Sequence, residues 1–377
     1  MEKKNFIEID GSILEGGGQI IRISIPCSII LQYGKIVIKN IRGNRPKPGL
    51  KRQHLSGVQL VNTICEGTLK GDKLDSSRLE LIPSKIQGGS FKCDVKTAGS
   101  VTLLTQIAIP VIIFSPSPID LELSGGTNVP LSPQIDEIIY CLVPYLSAFG
   151  IDIEVVLKRR GFYPKGNGIV EVHSQPIPKG GCLKAINFTE FGELSKFTGV
   201  VYSTPTIPQH VNKRIKEQAE KLLVEKFGKK IPIKIDQRYE GKQSSFGQGT
   251  GIALFAHSNT GCILGSSALG ERKVSSEEVA RRAFQPLVED IESNACVDRH
   301  TQDQLIIFMA LAEGISKFRT CELSLHTQTA IHFVTELTGA KFLTSKDGSS
   351  WIIECEGIGH KNGLSMKDRE ELETNQK

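Results

Sequence analysis

Three stretches of this chain are so apolar that, as helices, they have no face to give to water. Gln19 opens the first, which continues IIRISIPCSII; Gly99-Ser100 opens the second, VTLLTQIAIPVII; the third begins near Asp303 with QLIIFMALAEGIS. Such helices must be buried on most sides. Each is followed, after an extended segment and a turn, by a more amphipathic helix: KRQHLSGVQLVNTI, SPQIDEIIYCLVPYLSAF and TQTAIHFVTEL. The second helix starts a similar distance after the first in two of the pairs, Gln19 to Lys51 and Ser100 to Gln134, and sooner in the third. Short alternating strands such as IDIEVVLKR and AKFLTSK come next. The pattern predicts a weak internal triplication of a strand–helix–strand–helix–strand unit, visible as periodicity rather than identity.

From about residue 186 to 293 the chain reads as its own α/β module. QHVNKRIKEQAEKLLVEKF carries Val211, Ile215, Ala219, Leu222 and Phe227 at helical spacing, and GIALFAHSNTGCILGSS is two strands around a Ser-Asn-Thr-Gly turn. Ser275 and Glu278 form a capping box that opens EEVARRAFQPLVEDI, where Pro286 is expected to kink or end the helix. Residues 1–185 and 294–365 then make one discontinuous domain, and 366–377 a polar tail expected to fray. A chain of 377 residues has length enough for two domains, since single cores stop growing beyond about 250 residues.

The net charge of +5 is modest, but the positive charge is clustered. RGNRPKPGLKR (42–52) holds Arg42, Arg45, Lys47, Lys51 and Arg52 with no acid, and KRRGFYPKG (158–166) repeats the pattern. Such runs are either solvated surface or, being Gly- and Pro-rich loops that can approach closely, a seat for a polyanion. Nine scattered cysteines without a CxxC build neither a disulfide framework nor a zinc site, and point to a reducing compartment. The opening MEKKNFIEID lacks the apolar run of a signal peptide. No stretch reaches the ~18 residues of a membrane span, so a soluble intracellular protein with no membrane partner is expected.

His326, in LSLHTQTAIHF, falls between a strand and the helix that TQTAI begins. A histidine at a strand end is usually structural. A helix N-terminus, however, favours neutral imidazole and holds an anion beside it, and neutral imidazole is a competent nucleophile at phosphorus. His332, six residues on, has neither metal-ligand spacing nor the same face, and reads as packing. Arg22 lies one turn into the first apolar helix, where a buried guanidinium needs an anion, either a carboxylate or a ligand phosphate. Glu15 is placed to be that carboxylate or a magnesium ligand. Arg42 and Arg45 sit in a loop stiffened by Pro46, Pro48 and Gly49, and their planar forks suit phosphate oxygens. Gly16-Gly17-Gly18 is not a Walker A loop, since no Gly-Lys-Ser/Thr follows. Beside a helix start and three arginines, it still suggests phosphate binding.

In order along nearly the whole chain, EGGGQIIRIS, RGNRPKPGLKRQHL, TAGSVTLLTQ, SGGTN, GFYPKGNG, DQLIIFMALAEG and LHTQTAIH resemble the motifs of the RNA 3′-terminal phosphate cyclases. The resemblance implies an α/β (α+β) fold: a large domain of three repeated βαβαββ-like units and a smaller inserted α/β domain like the C-terminal domain of translation initiation factor three. It implies ATP, Mg2+ or Mn2+, and an RNA bearing a 3′-phosphate. In the family's reaction a histidine takes AMP from ATP, AMP passes to the RNA 3′-phosphate, and the ribose 2′-hydroxyl expels it to leave a 2′,3′-cyclic phosphate. Adenylylation gives the phosphate a good leaving group. The adjacent hydroxyl then gains intramolecular proximity worth up to ~7–11 kcal/mol.

Carried over by that resemblance, the nucleophile falls on His326 and the phosphate-binding groups on Arg22, Arg42, Arg45 and Gln53. The metal-linked glutamate falls on Glu15, and the nucleotide pocket on Gln106, Pro133, Asp303 and Gln304, with glycines 16–18 turning tightly around the reacting phosphates. Two departures stand out. Arg299-His300 replaces the family's usual Glu-Tyr, so His300 offers adenine a smaller face than tyrosine does. Asn167 stands where the family usually has glycine, and asparagine tolerates left-handed backbone. A catalytically inactive cyclase-like ribosome-assembly protein is the alternative reading, but those proteins lack the histidine. Enolpyruvyl transferases share the repeated architecture yet need neither a histidine nucleophile nor an insertion. The family's eukaryotic members suggest the nucleus, with the cytoplasm as alternative.

Overall fold

A computed structural model of the chain describes residues 6–241 and 243–363, and the expected polar tail lies outside them. The first third comprises β1 (Ile7–Asp10), α1 (Gln19–Ile30), β2 (Ile36–Lys39), α2 (Arg52–Ile64), β3 (Thr68–Lys70) and β4 (Leu79–Ile82). β5 (Gly89–Asp94), α3 (Val101–Ile112) and β6 (Ile119–Gly125) come next. A helical stretch then runs through α4 (Ile135–Glu137), a π-helical turn (Ile138–Leu142) and α5 (Val143–Ala148), before β7 (Asp152–Gly161) and β8 (Gly168–Gln175). There follow β9 (Asn187–Phe188), β10 (Leu194–Ser203), α6 (Gln209–Phe227), β11 (Ile233–Tyr239), β12 (Ser245–Phe246), β13 (Thr250–Ser258), β14 (Ile263–Leu269) and α7 (Ser276–Glu292). The chain closes with α8 (Gln302–Leu311), β15 (Glu313–Thr320), α9 (Leu325–Thr338), β16 (Lys341–Asp347) and β17 (Ser350–Ile358).

Three sheets share one strand arrangement. Their orders are β1-β2-β4-β3, β5-β6-β8-β7 and β9-β15-β17-β16, each with its first pair parallel and the others antiparallel. The helices pack on one another, α1 against α3 and α9, α2 against α3, and α8 against α9. That packing is why α1 and α3 can be apolar all round: Ile20, Ile25, Ile29, Leu104, Ala108 and Ile112 are fully buried, each large aliphatic contributing about 1.5–3 kcal/mol. One continuous hydrophobic cluster runs from Ile7 to Cys355. Among the described residues no helix is long and apolar enough to cross a membrane.

A second cluster lies between the sheet β11-β10-β13-β14 and the helices α6 and α7, built from Phe197, Val201, Ile215, Ala219, Leu223, Leu254, Leu264, Ala283 and Leu287. Pro286 does not end α7, which continues to Glu292. The buried face of Val279, Ala280, Ala283, Leu287 and Val288 holds the helix together across the proline, an instance of packing overriding local propensity. A small third cluster holds Cys141, Phe162, Val200, Tyr202, Ala253 and Phe255, and against its Tyr202 lies Arg160 of β7, which is wholly buried. Its Nη1 and Nη2 donate to Asp136 at 2.7 Å each and its Nε to Glu240 at 2.8 Å, while its guanidinium lies 4.0 Å from the centre of the Tyr202 ring.

Candidate active site

The first turns of α1, α2, α3, α8 and α9 border one cavity of about 1170 Å3. α1 brings Gln19 and, a turn later, Arg22; α2 brings Gln53 and His54; α3 brings Leu103 and Gln106; α8 brings Asp303 and α9 His326. A helix start leaves N–H groups without intrahelical partners and carries partial positive charge, so their convergence favours an anionic ligand. The starts are set locally. The Ser100 hydroxyl accepts from Leu103 N–H and the Ser324 hydroxyl from Thr327 N–H. Ser324 caps α9 two residues earlier than the sequence suggested, so His326 stands within the first turn rather than ahead of it.

Nδ1 of His326 lies 2.9 Å from Oε1 of Gln19, whose Nε2 donates to Asp303 Oδ2 at 2.6 Å. With the Gln19 amide nitrogen committed to the carboxylate, its oxygen accepts from Nδ1–H, and Nε2 of His326 keeps the lone pair. Burial, then Arg22, Arg45 and His300, hold the imidazole below its usual pKa. His326 is therefore neutral near pH 7, with one nitrogen free to attack. Burial pushes Asp303 up to about 6, with Arg22 pulling the other way. Arg22 itself is lowered by burial to about 10, offset by Asp303, and stays charged. Its buried Nε has no partner.

The carboxylate acting on Arg22 is thus Asp303, and Glu15 pairs instead with Arg45. Glu15 is 8% exposed, its N–H donates to Thr329 Oγ1 at 3.2 Å, and its buried Oε2 has no partner. Arg42 lines the cavity while bracing its own loop, Nη1 donating to the Lys47 carbonyl at 2.6 Å and that of Gly49 at 3.1 Å. Gln53 Oε1 accepts from Ser100 N–H at 3.1 Å, tying the starts of α2 and α3 together. Pro133 and His300 stand on the wall with Gln106. Gln304 is the exception: it lines a small adjoining pocket of about 30 Å3 with Gln106, Asp303 and Arg22, and donates to the His300 carbonyl at 2.6 Å. Arg299 is held by Asp290 at 2.8 Å and Glu289 at 2.9 Å.

The glycine triplet also makes room within the protein itself. A Cβ on Gly16 would strike Asn44, one on Gly17 the Glu15 carboxylate, and one on Gly18 the His54 ring. The room those glycines leave is filled by the protein's own polar side chains. His54 is a site residue that sequence reasoning missed. Lys51 N–H donates to its Nδ1 at 3.2 Å, so Nε2 carries the proton. Burial, then Arg22, Arg42 and Lys51, drive its pKa down to about 3. Its position three residues after the N-cap Lys51, in a basic run, was the only signal available. His332 is not a packing residue: it is exposed on α9, 3.9 Å from Glu336. Asn167 adopts φ 54, the left-handed backbone its side chain tolerates.

No group of three or more His, Cys, Asp or Glu able to cage a metal occurs among the described residues. The unpartnered Glu15 Oε2 suits Mg2+, which is commonly held by one or two carboxylates plus substrate phosphates. The family model for RNA 3′-terminal phosphate cyclase matches residues 13–344. The chain belongs to this family. It is 38% identical over 355 residues to the RNA 3′-terminal phosphate cyclase of Pyrobaculum neutrophilum, covering 94% of this chain and 99% of that one. It is 35% identical over 365 residues to the Drosophila melanogaster cyclase, covering 97% and 100%. The enolpyruvyl transferase NikO of Streptomyces tendae aligns over 93% of this chain and 81% of its own at 11% identity and a TM-score of 0.22, a likeness too weak to bear on fold or activity.

Proposed function

We propose that this cyclase-family chain converts an RNA 3′-terminal phosphate to a 2′,3′-cyclic phosphate using ATP, by way of a histidine–AMP intermediate on His326 and an RNA-adenylate. What carries the reading is the hydrogen-bonded series Asp303–Gln19–His326 at the edge of a cavity ringed by helix starts. In the first step Nε2 attacks the α-phosphorus of ATP and pyrophosphate departs. The imidazole becomes cationic as it bonds, and Gln19 Oε1 on Nδ1–H stabilises that charge. An oxygen of the RNA 3′-phosphate then attacks the same phosphorus and the N–P bond breaks. Finally the ribose 2′-hydroxyl attacks the 3′-phosphorus, its proton passing to solvent, and the P–O bond to AMP breaks.

Arg22, Arg42, Arg45 and the Nε2–H of His54 supply the positive and hydrogen-bonding wall for these phosphates. Gln106, Pro133, His300, Asp303 and Gln304 would seat the nucleoside. Mg2+ on Glu15, when bound, would neutralise phosphate charge, and by taking Glu15 it would release Arg45 to the substrate. The test is incubation with ATP labelled at the α-phosphate and Mg2+ or Mn2+, without RNA, followed by denaturing gel analysis. Acid-labile, base-stable label on the wild-type chain but not on His326→Ala is the expected outcome. No label with either metal would overturn the reading in favour of an inactive ribosome-assembly relative.

A further inference from the structure

β12 leaves the sheet of its sequence neighbours and pairs in parallel with the end of β7, where Phe162 N–H donates to the Phe246 carbonyl at 3.1 Å. This seats the Phe246 ring beside the basic run 158–166, which spans the end of β7 and the turn after it, with the Arg159 guanidinium 5.9 Å and the Lys165 ammonium 5.6 Å from its centre. Lys158 pairs with Glu171, but neither Arg159 nor Lys165 has a carboxylate partner among the described residues. Phe246 is 37% exposed, Tyr163 66% and Leu131 fully. Tyr163 and Leu131 also line the cavity that holds His326, so this strip is continuous with the site. At about 1170 Å3 the cavity exceeds the roughly 300–1,000 Å3 of small-ligand pockets.

We propose that the strip is the track for single-stranded RNA just 5′ of the terminal phosphate, with bases stacking on Tyr163 and Phe246 and phosphates meeting Arg159 and Lys165. Two exposed rings, one of them bracketed by cations that lack acid partners, match what an unstacked strand presents, a π-face on each base and a charge on each link. A duplex keeps its base faces stacked and has no use for the rings. The inserted module thereby gains a role, because β12 carries one of the two platforms. This inference rests on the RNA reading above.

Fluorescence anisotropy of 3′-phosphorylated RNAs two and ten nucleotides long tests it, with Tyr163→Ala guarding against a misfolded Phe246→Ala. Either substitution should weaken the ten-mer about tenfold, the scale of one base–aromatic stack; the dinucleotide should bind Phe246→Ala, whose ring lies outside the cavity lining, as before. Replacing both Arg159 and Lys165 with glutamine should flatten the salt dependence of ten-mer binding, reducing the slope by about 1.4 for two lost phosphate contacts. Equal losses at both lengths for Phe246→Ala, or none for the ten-mer with either substitution, would overturn the track. So would a wild-type dimer that Phe246→Ala dissociates while RNA affinity is unchanged. If the wild-type chain binds RNA but never takes label from ATP, the cyclisation reading fails while the length dependence still decides the track.

Discussion

His326 and Gln19 are joined by a 2.9 Å hydrogen bond across 307 residues of chain. The residue that opens the first helix therefore fixes the tautomer of a histidine in the first turn of α9. Gln19→Ala removes that acceptor without touching Nε2, the nitrogen proposed to take AMP. Misplacement of a reacting group can cost about 100-fold, and we expect up to that loss in the rate of enzyme adenylylation, with KM for ATP little changed. Rapid-quench measurement of label uptake separates the two. A raised KM at full rate would show that Gln19 binds nucleotide instead.

The pH dependence follows from the charges around His326. Burial and cationic neighbours lower its pKa, so the neutral imidazole persists below the ordinary value of about 6.5. Removing one of those cations should let imidazolium form more readily. Arg22→Gln is thus expected to move the His326 titration upward toward 6.5, read by NMR of the ring itself so that lost activity does not obscure it. An unmoved titration would mean that Arg22 does not act on this ring.

His54 should leave a mark on stability. Its folded pKa of about 3 lies below its unfolded value near 6.5, so the unfolded chain binds the proton first as pH falls. Its neutral, buried state costs nothing above pH 6.5 and erodes stability below it, by at most about 1.4 kcal/mol per pH unit. His54→Gln, which keeps an amide donor and does not titrate, should flatten the urea-unfolding stability profile between pH 6.5 and 4. A slope identical to wild type would refute the burial of a neutral ring.

At Arg160, Arg160→Met strands the carboxylates of Asp136 and Glu240 beside the buried Tyr202 ring. Breaking a buried pair from one side costs about 3–5 kcal/mol, whereas replacing both partners is often nearly neutral. The double change Arg160→Met with Asp136→Leu should therefore be more stable than Arg160→Met alone in urea titrations. Equal midpoints would show that the network contributes little.

What could be read in the sequence is what local chemistry decides. Gln19 and Ser100 were recognisable as helix openings because caps and apolar periodicity are written within a few residues. The sequence reading starts α9 at Thr327, two residues late, because it does not recognise the Ser324 cap that opens the helix at Leu325. β9 and β12 could not be seen at all: each is a two-residue strand that exists only through a distant partner. The same holds within the site. Arg22, Arg42, Arg45 and His326 were named in advance from charge, helix position and resemblance, and they do line one cavity. The Gln19 contact, the Glu15–Arg45 pair and the polar filling around Gly16, Gly17 and Gly18 depend on side chains brought together from far apart, and no spacing announces them.

The helix starts around the cavity belong to residues 19, 52, 101, 302 and 325, so the site closes only when both ends of the chain have arrived. A ribosome-bound chain displays Arg22, Arg42 and Arg45 long before it possesses Asp303 or His326. Such a fragment could attract polyanions but would be silent toward ATP, as would any molecule clipped ahead of α9. On the proposed function, self-adenylylation would therefore report molecules folded at least through α9.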